Sequence, residues 1–110
     1  MASMKNTSGA DAHPAAEPDA TVHVAITGIV QGVGYRESMR AVAAALAIKG
    51  WVRNRADGGV EALVQGTVED LERMLAWCHN GPPDARVASV KGKSVQTNEL
   101  FTAFAVRPST

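Results

Sequence analysis

Trp51-Val52-Arg53-Asn54-Arg55-Ala56-Asp57-Gly58-Gly59-Val60-Glu61-Ala62-Leu63-Val64-Gln65 decides the fold class, because it reads as two strands joined by a tight turn. Trp51 to Asn54 and Val60 to Gln65 carry the aromatic and β-branched residues of strands. Asp57-Gly58-Gly59 supplies residues that tolerate positive φ, as a hairpin turn requires. Upstream, Met39, Val42, Ala43 and Leu46 recur at i, i+3, i+4 and i+7, one apolar helix face, which Lys49-Gly50 is expected to close. Downstream, Thr67 with Asp70 three residues later has the shape of a capping box. Leu71, Met74, Leu75 and Cys78 then mark a second apolar helix face, stopped by Asn80-Gly81-Pro82-Pro83.

Further out, Val22, Val24 and Ile26 alternate with His23, Ala25 and Thr27, the period of a strand. Val87 to Val95 and Phe101 to Val106 supply one more strand and a fifth. The order β-α-β-β-α-β predicts an α+β ferredoxin-like sandwich, an antiparallel sheet with two helices on one face. No internal repeat or second domain is visible. Residues 1–20 contain no Val, Ile, Leu, Phe, Tyr or Trp. They cannot bury enough apolar surface to offset the entropy of ordering, so a mobile N-terminal tail is expected there and a folded domain over 21–110.

The chain has 110 residues, 45% hydrophobic and 20% charged, which excludes a disordered or collagen-like protein. Its 11 basic and 11 acidic side chains cancel, so no net charge draws it to nucleic acid or anionic lipid. A single cysteine, Cys78, cannot form an internal disulfide. No apolar run approaches the ~18 residues of a membrane span, and no basic start followed by an apolar stretch marks a secretory signal. A monomeric, cytoplasmic protein without membrane or nucleic-acid partners is expected.

Several apparent motifs fail on spacing. Val90-Lys91-Gly92-Lys93-Ser94 ends like a phosphate-binding P-loop, but Val87 stands where its first glycine belongs. Gly32-Val33-Gly34 begins like a dinucleotide fingerprint, yet Glu37 replaces the third glycine. His13, His23 and His79 lack metal-ligand spacing, and Cys78-His79 reads as a core thiol beside an exposed imidazole.

Two stretches carry chemistry. In Gly28-Ile29-Val30-Gln31-Gly32-Val33-Gly34-Tyr35-Arg36, glycines let successive N–H groups turn into one concavity at the start of a helix, a nest for a tetrahedral anion. Arg36 adds a planar fork suited to phosphate or carboxylate. A glycine-rich turn with a surface arginine is an equally good reading of the spacing. In the hairpin, Asn54 reads either as a turn asparagine serving the backbone or as a polar group aimed at a ligand.

Together the two stretches, Gly-x-Val-Gln-Gly-Val-x-(Phe/Tyr)-Arg over 28–36 and Gly-x-Val-x-Asn-x-x-Asp-Gly-x-Val-Glu over 50–61, resemble the acylphosphatase family. Gly81-Pro82-Pro83-Asp84-Ala85-Arg86-Val87 is similar to that family's link after its second helix. Tyr35 is one of two aromatic choices, and the stretch before residue 21 has no counterpart in the pattern. The resemblance implies hydrolysis of small-molecule acyl phosphates to carboxylate and inorganic phosphate, with no metal or cofactor. It places the catalytic roles on Arg36 and Asn54. Substrate binding falls on the backbone of Gln31, Gly32, Val33, Gly34, Tyr35 and Arg36, with Asn54 orienting the attacking water.

The competing expectation is a non-catalytic phosphate- or RNA-binding regulatory module on the same architecture. An RNA-binding sheet would need basic and aromatic residues at set positions, and Tyr35, Trp51, Trp77, Phe101 and Phe104 lack that spacing.

Overall fold

A computed structural model describes residues 18–110. The elements in chain order are β1 (Ala20–Ile29), α1 (Tyr35–Ala45), β2 (Lys49–Asn54), β3 (Val60–Gly66), α2 (Val68–Asn80), β4 (Arg86–Ser94) and β5 (Phe104–Val106). They form one five-stranded sheet in the order β4-β1-β3-β2-β5. The pairs β1–β3, β1–β4 and β2–β3 are antiparallel, as expected. The sheet as a whole is mixed, because β5 lies parallel to β2, with Gly50 opposite Phe104 and Val52 opposite Val106. This corrects the purely antiparallel expectation. β4 runs against β1 and β2 runs with β1, so a chain that turns back once after β4 and crosses to the far edge comes to lie parallel to β2.

Register explains the core. Val24 faces Ala62 across β1–β3, and Ile26 faces Val60. Because side chains alternate, Val24, Ile26, Val60, Ala62, Val64 and Val52 all leave the same face. There they are buried with Met39 and Ala43 of α1 and Leu71, Met74 and Cys78 of α2. Full burial of a side chain of this size contributes about 1.5–3 kcal/mol. This one face is therefore what holds the two helices to the sheet.

Two local expectations change. Lys49-Gly50 does not close α1; the helix ends at Ala45, and Ala47 takes the left-handed turn at φ 57°. The N–H of Ile48 reaches back to the Ala43 carbonyl at 2.9 Å, a Schellman closure built on alanine. Gly50 instead lies in β2 at φ 135°, where a Cβ would stand 1.8 Å from the Leu63 carbonyl oxygen. At α2, Thr67 caps as expected, its Oγ1 accepting from the Asp70 N–H at 3.1 Å. The return half of the box is absent, because the Asp70 carboxylate accepts from Arg73 at 3.2 Å.

Of the expected tail, residues 1–17 lie outside the described residues. Ala20 already pairs with Gly66, and the Asp19 N–H donates to the Gly66 carbonyl at 2.9 Å. The Asp19 carboxylate accepts from the Val68 N–H at 3.1 Å. The ordered unit therefore begins before Thr21.

Candidate active site

Near the end of β1 the pairing with β4 slips in a bulge, Thr27 facing Ser89 and Gly28 facing Val87, with Ala88 of β4 the extra residue. Gly28 has φ 122°, and a Cβ there would lie 2.2 Å from the Arg86 carbonyl oxygen, so only glycine allows β4 this approach. Beyond the bulge the chain leaves the sheet, anchored by the buried Val30, and turns twice at Gly32 (φ 76°) and Gly34 (φ 81°). Gly34 is the N-cap of α1, and no side chain caps this end. The first helical bond runs from the Ser38 N–H to the Gly34 carbonyl at 3.0 Å. The N–H groups of Tyr35, Arg36 and Glu37 precede it, so they lack intrahelical acceptors and carry the positive end of the dipole.

The Tyr35 side chain does not face this loop. It is 1% exposed, and its hydroxyl donates to the Cys78 carbonyl at 2.6 Å, pinning the start of α1 to the end of α2. Burial, and then the neighbouring Cys78, hold that phenol above its ordinary range. Burial likewise pushes the Cys78 thiol up to about 12, against a smaller opposing effect of Tyr35. Cys78 is therefore protonated and inert at neutral pH.

Asn54 ends β2. It shares the helix-side parity of the buried Val52, so its side chain points toward the loop. Its Oδ1 is buried and has no hydrogen-bond partner among the described residues. A cavity of about 160 Å³ joins these parts, lined by Val30, Gly32, Gly34, Tyr35, Arg36, Glu37, Asn54 and Val106. Arg36, like Arg86 and Arg107, forms no ion pair among the described residues, whereas Arg40, Arg53, Arg55 and Arg73 each have a carboxylate within 4 Å. A larger cavity, about 410 Å³, lies at the opposite end of the sheet around Thr21, Gln65 and Ser94, but no basic side chain among the described residues lines it. The smaller one brings Arg36 and Asn54 together at the uncapped start of α1.

Five of the expected site residues thus meet at one cavity: Gly32, Gly34, Tyr35, Arg36 and Asn54. Val33 packs against the core, and Gln31 turns its amide to the hairpin instead. Val30, Glu37 and Val106 also line the cavity, although the sequence pattern does not mark them for binding. For Val106 the sequence holds no signal, since only the parallel β2–β5 pairing brings it beside Asn54.

The carboxylates of the hairpin are structural. Glu61 is 6% exposed on the opposite, helix-free face, bound by His23 at 2.8 Å and Arg53 at 2.7 Å. Burial alone would raise its pKa. Hydrogen bonds from His23 and Arg53 and the charges of Arg53 and Arg55 outweigh that and hold it below its ordinary value. Asp57 is held low by the Gly59 N–H and then by Arg55. Among the described residues, no three His, Cys, Asp or Glu side chains gather as metal ligands, and no helix is long and apolar enough to cross a membrane.

The sequence profile of the family Acylphosphatase matches residues 22–106, which include every residue lining the cavity. The chain belongs to the acylphosphatase family. An acylphosphatase of Paraburkholderia xenovorans is 46% identical over 84 residues, covering 76% of this chain and 87% of that protein. One of Methylococcus capsulatus is 46% identical over 85 residues, 77% of this chain and 92% of that one. The solved acylphosphatase structure from Coxiella burnetii superimposes with a TM-score of 0.78 at 36% identity, covering 82% of this chain and 94% of its own. The resemblance read from 28–36 and 50–61 therefore holds along the whole acylphosphatase domain.

Proposed function

We propose that this protein hydrolyses acyl phosphates, releasing a carboxylate and inorganic phosphate. The observation that carries the reading is the meeting, in one small cavity, of an uncapped helix start, an arginine and a buried asparagine oxygen, the last two without an ion-pair or hydrogen-bond partner among the described residues. A buried acceptor left unsatisfied costs about 1–3 kcal/mol. That cost is removed when a water donates to Asn54 Oδ1.

In this mechanism the loop amides from Gly32 to Glu37 and the Arg36 fork hold the three phosphoryl oxygens. They offset charge as it spreads in the transition state, where such transfers draw most of their acceleration from positioning and electrostatics. Asn54 accepts one proton of the attacking water and points its lone pair at phosphorus, opposite the acyl oxygen. The new P–O bond forms as the bond to the acyl oxygen breaks, and that oxygen leaves as a carboxylate. The water's proton passes to a phosphate oxygen. A carboxylate is a good leaving group, so no strong general base is needed, in keeping with an amide at position 54. Val30 and Val106 form the apolar part of the wall.

The test is phosphate release from benzoyl phosphate by purified protein, with and without a chelator. Turnover unaffected by chelator, competitively inhibited by inorganic phosphate and negligible on a phosphate monoester is the expected result. Loss of turnover in chelator, restored by a divalent ion, would overturn the mechanism.

A further inference from the structure

We propose that the Gln31 side chain is a positioning residue that sets the phosphate loop against Asn54, an inference that rests on the acyl phosphate hydrolysis proposed above. The anion seat belongs wholly to residues 30–37, whereas Asn54 arrives on a different strand. In-line attack requires both in fixed relation, and a misplacement of about 1 Å can cost on the order of a hundredfold in rate. Something must hold the two segments together.

Gln31 Nε2 donates to the Arg55 carbonyl at 2.8 Å and to the Gly59 carbonyl at 2.8 Å, which uses both protons of the amide. Among the described residues these are the only hydrogen bonds between residues 30–37 and residues 54–59. Both acceptors belong to a braced turn. The Arg55 N–H donates to Gly59 O at 2.8 Å, and Gly58 N–H to Arg55 O at 3.1 Å. The Gly59 N–H donates to Asp57 Oδ1 at 2.9 Å, while the Arg55 guanidinium reaches Glu61 at 3.4 Å. The turn also sits tight on β1, since a Cβ on Gly59 would lie 2.8 Å from the Ile26 carbonyl oxygen. Gln31 thus fastens the loop to the stiff turn immediately following Asn54, while its side chain stays outside the cavity lining.

This arrangement has a kinetic signature that a general loss of structure lacks. The seat for phosphate survives removal of the Gln31 amide, because its donors are local. The alignment with Asn54 does not. Gln31→Met keeps length and packing but removes the donor, and Gln31→Ala removes both; each is assayed with benzoyl phosphate alongside thermal melting. For Gln31→Met the expected result is a kcat at least tenfold lower, with the inhibition constant for inorganic phosphate within about threefold of the parent. In an Asn54→Ala background the same change is expected to cost less than about twofold, since no aligned water remains to lose. An inhibition constant that rises in step with the fall in kcat would overturn the proposal, as would equal losses in the two backgrounds or no loss in either. Absence of turnover in the parent protein, with phosphate still bound, would instead count against the hydrolytic reading itself.

Discussion

At the start of α2, Thr67 Oγ1 accepts from the Asp70 N–H, the Asp19 carboxylate accepts from the Val68 N–H, and Glu69 and Asp70 set negative charge against the positive dipole end. At the start of α1 stands Gly34 in the left-handed region with no side-chain cap, followed by Arg36, a cation at the end where the dipole disfavours one. The capping bonds of α2 are worth about 1 kcal/mol each. Arg36 costs about 0.3–1 kcal/mol where it is, partly offset by Glu37 in the same turn. On the proposed function, the difference teaches how a small fold reserves one of its two helix starts for a ligand. At α2 the chain itself satisfies the N–H groups of Val68 and Asp70, so that end contributes stability. At α1 the donors stay open, and in the proposed mechanism a tetrahedral anion takes them, so that the stability forgone there returns as binding.

The contrast is broken most severely by putting negative charge on the α1 side. Asn54→Asp is nearly isosteric, so folding should survive. At about 5 Å and an effective dielectric of about 20, like unit charges repel by roughly 3 kcal/mol. The expected kcat is lower by about two orders of magnitude. A variant as fast as the parent, or faster at high pH, would show that position 54 works as a base. Arg36→Lys keeps the charge at α1 but loses the planar fork. Its rate should fall more than tenfold, over about 1.4 kcal/mol, and approach that of Arg36→Ala. Retention of a tenth of the rate or more would make the charge alone sufficient.

The smallest change belongs to the other helix. Thr67→Ala removes a cap and should lower stability by about 1 kcal/mol in denaturant unfolding, with kcat and phosphate inhibition unchanged. If activity fell as well, the two helix starts would not be independent.

Much of this contrast is legible in the amino-acid sequence. Asp57-Gly58-Gly59 announces its hairpin, Thr67 its cap, and the apolar spacing of both helices their buried faces, because each signal is local. Arg36 and Asn54 are legible as a pair only through the family pattern, since their meeting depends on the sheet bringing β2 beside the β1–α1 loop. Three features are not legible. Ala47 accepts a left-handed turn that glycine would ordinarily take, and Gly50 serves the close approach to Leu63 instead. Gln31 reads as one more amide donor in the nest; its side-chain partners lie 24 and 28 residues away. Glu61 reads as a strand-surface carboxylate, and only the register of β1, β2 and β3 places His23 and Arg53 around it.

The most direct test of an anion seat at α1 and none at α2 is an amide-resolved NMR titration of the unmodified protein with inorganic phosphate. The largest shifts should fall on the backbone N–H groups of Gly32 to Glu37 and on the Asn54 side-chain amide, with those of Val68 and Asp70 unmoved. Shifts centred on α2, or saturable binding that leaves residues 32–37 undisturbed, would contradict the account.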